Sequence, residues 1–450
     1  MTRKKWALLV LFGLLAIGYF KLFYKTYSTS TVSQTADCII SLDVKRITNT
    51  IIWNTLTTPS EWKISFSSSR GISWKDMVKI PDYIFIFHAA GQPVNAWYTV
   101  FDKNSDNDFN EGLRKYGFKN TNNINNTKEY FSDQLGVVII CNENKILVGN
   151  GAVKDTGKVR QIADELFNKN EFVAKKFLEI NIEAKSHLVM QLPKNGLFRE
   201  HPVVTANFDK RRILVDALLN PNAEFEFAET YFPYSSSSLL SFGSTQPSKK
   251  VFALLDSTER IKISRLINFN IDSLIMLPNT AYTLDLQAVK QRVDSAISYT
   301  YDDNFNPVEN VIVNNVTEPS FQFNICGNAA QSVYNYFKND GKLESVNGES
   351  VFTPVPLVRS FCRVINDSLL SIVSGNYTPK VGDGSLHCIF FANIAISSFP
   401  AFVKAFLPEA LQKGIANFET VQVAAKKVNN KLHLHCVFTK MKNSKPLISL

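Results

Sequence analysis

The feature that most constrains this chain is its opening: fifteen consecutive apolar residues, Trp6 to Phe20, preceded by Arg3, Lys4 and Lys5. Lys21 interrupts the run, and Leu22, Phe23 and Tyr24 carry its apolar character to position 24. A membrane-spanning helix needs about 20 such residues, whereas the apolar core of a cleaved signal has about 7–15. Two features favour an uncleaved signal-anchor. The Lys21 ammonium can snorkel to the far interface, and Tyr19, Phe20, Phe23, Tyr24 and Tyr27 form the aromatic cluster of a headgroup boundary. No A-x-A cleavage site follows, Ser28-Thr29-Ser30 being a poor substitute. A cleaved signal and a buried core helix are the competing readings. Basic residues ahead of a span hold that end in the cytoplasm. The expectation is a cytoplasmic basic tail at 1–5, a transmembrane helix at 6–24 and a linker at 25–34. Everything beyond is then extracytoplasmic, on a single-pass protein of the inner (cytoplasmic) membrane.

The charge balance excludes a nucleic-acid partner. The net charge is +9, but five of the 49 basic residues lie in residues 1–30, which hold no acid. The remainder has 44 basic residues against 40 acidic ones, with no Lys/Arg block from which to build a phosphate-binding groove. Six cysteines, Cys38, Cys141, Cys326, Cys362, Cys388 and Cys436, are spread widely in apolar, strand-like surroundings. An oxidising compartment would permit disulfides, yet six cysteines allow 15 pairings and the spacing selects none. Most read as small buried hydrophobes.

Beyond the opening the chain reads as an internal duplication. Trp97, Thr99 and Phe101 alternate, as do Phe321, Phe323 and Ile325, and a helical pattern follows each triplet. Phe109, Leu113 and Tyr116 mark the first helix, and Ala330, Val333 and Phe337 the second; Gly117 and Gly341 are their expected left-handed caps. The offset is 224 residues from Trp97 to Phe321 and again from Gly117 to Gly341. Hairpins are expected at Val137–Val148 and Arg363–Val373, and later at Val203–Leu218 and Val421–Phe438, the last turning at Asn429-Asn430. The two copies are taken to open at Thr35–Asp43 and Thr280–Asp285. In each, an Asp precedes an i, i+3, i+7 apolar set, Val44, Ile47, Ile51 and Leu286, Val289, Val293. Asp43 and Asp285 are therefore read as helix N-caps and not as paired catalytic carboxylates. The fold class expected is α+β: an N-terminal transmembrane helix followed by two tandem, internally duplicated, mostly antiparallel α+β domains. These span 35–219 and 279–440, joined by a Ser-rich loop and connecting helix at 220–278 and followed by a tail at 441–450.

Reactive motifs are scarce. Gly151–Val159 has two glycines and a lysine but five residues between the glycines, and Val159 stands where a phosphate loop needs a hydroxyl. His433 and His435, at i and i+2 on a strand, are the best metal candidates. The alternation of Leu432, Leu434, Cys436 and Phe438 turns both toward solvent, and no nearby acid supplies a third ligand. His187 and His387 are read as matched structural positions. No nucleophile elbow, zinc-protease helix or dinucleotide fingerprint occurs. No catalytic residue and no cofactor is assigned.

The anchor, the Asn/Lys/Ile/Phe-rich composition and the openings Ala36-Asp37-Cys38 and Leu277-Pro278-Asn279-Thr280-Ala281 resemble uncharacterised membrane-anchored envelope (periplasmic) proteins of Bacteroidota-type bacteria. That resemblance implies an inner-membrane anchor and a periplasmic domain. The expected function is a membrane-anchored extracytoplasmic binding or scaffold protein of the envelope, more a non-enzyme than an enzyme. Its partners would be the membrane, through the N-terminal helix, and an envelope protein or small ligand. The alternative is a membrane-tethered periplasmic hydrolase with catalytic residues scattered through the chain.

Overall fold

The computed structural model of the chain describes residues 19–441 apart from 20–21, 58–72, 125–126, 151–155, 195–196, 223–227, 236, 246–256, 267–269, 271, 273–279, 329, 356–357, 379–383 and 400–416. It divides into two compact units, Met1–Leu218 with Lys445–Leu450 and Leu219–Ser444.

In the first unit, strand β1 (Ala36–Asp43) passes directly into helix α1 (Val44–Leu56). Asp43 makes the switch: its backbone is extended, and its Oδ1 accepts the Arg46 N–H at 2.8 Å, satisfying a first-turn donor that the helix leaves open. Then come α2 (Trp74–Met77), β2 (Val78–Lys79), β3 (Tyr83–Ala89) and β4 (Tyr98–Lys103). Helix α3 (Asp106–Lys115) is capped by the Ser105 hydroxyl, with acids in its first turn and Arg114 and Lys115 in its last, matching the helix dipole. Strands β5 (Lys119–Ile124), β6 (Thr127–Ser132), β7 (Val137–Cys141) and β8 (Lys145–Asn150) form a meander. Helix α4 (Thr156–Asp164) continues into a π turn at Glu165–Lys169, and α5 (Lys175–Glu183) leads to β9 (Leu188–Gln191), β10 (Val203–Phe208) and β11 (Arg212–Leu219).

These strands form one antiparallel sheet ordered β5-β6-β7-β8-β4-β3-β1-β9-β10-β11, with β2 beside the end of β4. Both faces are covered. Val138, Ile140 and Leu147 join Phe87 and Tyr98 under Leu166 and Leu178 of the helical layer. Ile139, Cys141 and Ile146 point the other way, against Phe109 and Leu113 of α3. A strand covered on both faces loses its polar alternation, which is why β7 is the unbroken run Val-Val-Ile-Ile-Cys.

The second unit contains β12 (Thr230–Tyr234), β13 (Leu240–Thr245), α6 (Ser257–Leu266), β14 (Ala281–Tyr301), β15 (Pro307–Cys326) and α7 (Ala330–Asn339). It continues with β16 (Leu343–Val346), β17 (Glu349–Phe352), β18 (Ser360–Asn366), β19 (Leu369–Ser374), β20 (Gly384–Cys388), β21 (Phe390–Ile394), β22 (Phe418–Val428) and β23 (Lys431–Lys440). Its main sheet is antiparallel, ordered β16-β17-β18-β19-β15-β14-β13-β21-β22-β23, and β12 pairs with β20 as a separate ribbon. Helix α7 seats Ala330, Val333 and Phe337 on Ile325, Leu370 and Ile372. Phe232 and Cys388 of the ribbon pack on Phe391, directly above Gly243. Asn429 and Asn430 both take positive φ, 49° and 61°, the backbone a two-residue hairpin turn requires.

Three expectations are corrected. The fold class is mostly β, not an α+β pair of tandem domains, and no helix among the described residues is long and apolar enough to cross a membrane. Strand dominates in large antiparallel sheets, and the segment expected as a helix from Leu286 to Val293 lies within the 21-residue strand β14. Its i, i+3, i+7 apolar spacing is real, but ladder pairing along the whole of β15 overrides so weak a local preference. Asp285 accordingly caps no helix; it sits in mid-strand and accepts the Tyr377 hydroxyl at 2.9 Å.

The second correction concerns the membrane. Among the described residues no helix is long and apolar enough to cross one, so the transmembrane, single-pass and signal-anchor readings, and the inner-membrane localisation built on them, lack support; most of residues 6–24 lies outside the described residues. The part that is described is tied down by polar contacts. Asn49 donates to the Leu22 carbonyl at 3.0 Å, Lys45 to that of Tyr24, Lys25 pairs with Asp43, and the Thr26 N–H donates to Asp82 at 2.7 Å. Residues expected at a headgroup boundary thus lie against α1. The third correction is of register between copies. By strand order Ala36–Asp43 corresponds to Leu240–Thr245, within the stretch expected as the Ser-rich loop, and not to Thr280–Asp285.

Candidate functional site

The residues singled out from the sequence disperse, and each is accounted for locally. His433 and His435 share a face of β23, their ring centroids 6.1 Å apart, opposite Lys426 and Ala424 of β22. Both are half-buried, not solvent-facing as alternation alone suggested. His387 lies in β20, its ring tilted against Tyr231 with centroids 4.6 Å apart and its Nδ1 3.8 Å from the Glu229 carboxylate, so it does not occupy the place of His187. Of the phosphate-loop-like stretch, residues 151–155 lie outside the described residues, and the Lys158 ammonium donates to the Gly91 carbonyl at 3.1 Å.

His187, just ahead of β9, has geometry that invites a catalytic reading. Its Nε2 is 2.7 Å from the Thr50 hydroxyl on α1, and its Nδ1 is 3.2 Å from Asn207 Oδ1 on β10, the outline of a nucleophile, base and orienting amide. Nδ1 meets two groups at 3.2 Å, the Phe208 backbone N–H and Asn207 Oδ1, and accepts from the first or donates to the second according to the tautomer. When it accepts from Phe208, Nε2 carries the hydrogen, donates to Thr50 and has no lone pair to activate it. Burial holds the imidazole pKa below its ordinary value, opposed by the Asn207 hydrogen bond. This is a satisfied core histidine.

Two clefts are outlined by described residues. One, of about 390 Å³ in the first unit, holds Glu129, which accepts from Arg160 at 2.8 Å, and Asp164, which is paired with Lys169. The other, of about 540 Å³ in the second unit, holds the Arg260–Asp272 pair at 3.3 Å. Neither lining includes a histidine, and the carboxylates are engaged with cations. The six cysteines are free thiols. Burial pushes Cys38 up to about 11 and Cys362 up to about 12, so neither is a ready thiolate.

What the sequence reading missed is the β14–β15 hairpin. Its base, Ala281–Leu286 and Gln322–Cys326, is held between β13 and β19; beyond it, among the described residues, the two strands pair only with each other out to Tyr301 and Pro307. In the distal part directly opposed residues share a face. One face carries Val293, Ile297, Tyr299 and Tyr301 with Val311 and Val313, all six exposed, from 59% at Tyr299 to 70% at Tyr301. The opposite face is more polar, with Ser298, Thr300 and Asn310 beside Ala296, Val308 and Ile312. The turn is a built one. Asp302 Oδ1 accepts the N–H groups of Asn304 at 2.9 Å and Asn306 at 2.8 Å, which lowers its pKa, while Phe305 takes φ 60° and is 85% exposed. The signal was present in the sequence as period-two apolar spacing on both sides of Asp302–Asn306, hidden by the helical spacing just before it.

No family model matches the chain, and no curated protein does. Among solved structures it is similar to TP0453, a Treponema protein. Crystal form III matches at 11% identity over 54% of this chain and 87% of that one, with a TM-score of 0.28. Crystal form IV covers 42% and 78% at 0.25, and form I covers 81% and 94% at 0.21, both at 11% identity. Likeness at these scores supports no inference about fold or function.

Proposed function

We propose that this is a non-enzymatic binding or scaffold protein whose contact element is the distal β14–β15 hairpin. One observation carries the reading: six large apolar side chains stand exposed on a single face of a ribbon that pairs with no further strand among the described residues. Scattered apolar residues on a surface are ordinary, but a contiguous stripe of this kind marks a contact surface. A two-stranded ribbon is marginal alone in water, so its persistence rests on the ten-stranded sheet at its base. Natural sheets blunt open edges with lysine, proline or a covering loop; from Val293 to Val313 there is no Lys, and the only Pro is Pro307 at the turn. No observation favours the hydrolase alternative: neither cleft lining includes a histidine, and the cleft carboxylates are engaged with cations.

The test is crosslinking and co-purification with the full chain and with the Ile297→Ser, Val311→Ser pair. Burying an Ile or Val side chain is worth about 1.5–3 kcal/mol, so removing the two should weaken capture of a partner by tenfold or more. Equal capture by both proteins would overturn the reading.

A further inference from the structure

Resting on that reading, we infer the partner's chemistry: a polypeptide that lays an apolar strip flanked by lysine or arginine along the hairpin, not a lipid surface. Two independent observations lead there. The first is charge. The sequence from Val293 to Val313 contains Asp294, Asp302, Asp303 and Glu309 and no Lys, Arg or His, in a chain whose net charge is +9. A tip of that sign is repelled by anionic headgroups and by a second copy of itself, and attracted by a basic rim. The Glu309 carboxylate stands on the apolar face, where it accepts the Tyr299 hydroxyl at 3.2 Å, so the charge lies within the contact surface.

The second observation is the backbone. Outside the base, the outward N–H and C=O groups of β14 and β15 meet no further strand among the described residues. Hydrocarbon has no donors or acceptors to offer an open ribbon edge. An added polypeptide strand supplies both and places alternate side chains on the apolar face, so main-chain pairing provides affinity and the rim charges provide choice of partner.

The experiment uses the full chain with Ser295→Cys, on the apolar face, carrying a polarity-sensitive fluorophore. The probes are an alternating Val–Lys peptide, an alternating Val–Glu peptide, phosphatidylcholine–phosphatidylglycerol vesicles, and the labelled protein alone over a concentration series. A saturable blue shift with the Val–Lys peptide is expected, weakening as salt is added. It should be roughly threefold to tenfold weaker in Asp303→Asn, Glu309→Gln, as for loss of two exposed charge contacts. The inference is overturned by any of three results: equal response to the Val–Glu peptide, response to the vesicles but not to the Val–Lys peptide, or a shift that depends on protein concentration alone. Unchanged Val–Lys binding in Ile297→Ser, Val311→Ser would instead overturn the underlying reading. Binding lost in that pair but untouched by the carboxylate changes would overturn only the partner chemistry. Matching thermal melts of all variants confirm that the tip changes leave the fold intact.

Discussion

At the scale of single residues, the strongest constraints are steric and electrostatic and lie away from the hairpin. A Cβ on Gly243 would come within 2.4 Å of the Phe391 ring and 2.7 Å of the Phe232 ring. Both rings are buried, so neither can swing aside. Gly243→Ala should lower stability by about 1–3 kcal/mol, read as a lower urea midpoint with an unchanged slope. Asp43 combines a helix cap with charge contacts to Lys25 and Arg46 at a side chain only 2% exposed. Asp43→Ala should cost about 1–3 kcal/mol by the same measurement, with Asp43→Asn intermediate because it keeps the cap and loses the charge. His187 makes a pH-dependent contribution of definite sign. Its folded pKa is below 6.5, so the unfolded chain takes up the proton first as pH falls. That share of stability is complete above pH 6.5 and is lost below it, and His187→Gln should flatten the acid side of a stability-against-pH curve.

At the scale of elements, local chemistry was legible wherever it agreed with tertiary pairing. The Asp43 cap, the glycines ending α3 and α7, with φ 71° at Gly117 and 68° at Gly341, and the Asn429-Asn430 hairpin could all be read from residue type. The failures share a cause. Leu286, Val289 and Val293 satisfy a helical period, and Asp285 mimics a cap, but β15 offers twenty ladder partners that no local rule registers. Leu240–Thr245 looked like a loop because Gly243 and its small neighbours carry no apolar run; the two rings above them supply what the strand itself lacks. The hairpin is the element where stability and binding separate. Because its distal half pairs with no further strand among the described residues, replacing residues 291–317 with a two-residue Asn-Gly turn between the paired Lys290 and Glu318 should leave the melting temperature nearly unchanged while abolishing partner capture. A large fall in melting temperature would mean the tip is part of the core.

At the scale of the whole molecule, the same ten-strand antiparallel order occurs in both units. Helical content was overestimated where an apolar spacing of three and four, as at Leu286, Val289 and Val293, lies within a strand. The thiols offer a molecule-wide check on the cores. With all six pushed up by burial, the native chain should react slowly with a thiol reagent near neutral pH, and only unfolding should expose the full count. The carboxylates at the hairpin tip have one more effect. In neutral solution they hold neighbouring ribbons apart; with that charge removed, nothing prevents one ribbon from zipping onto the next. Concentrated stocks should then turn cloudy on acidification and clear again when the buffer is neutralised.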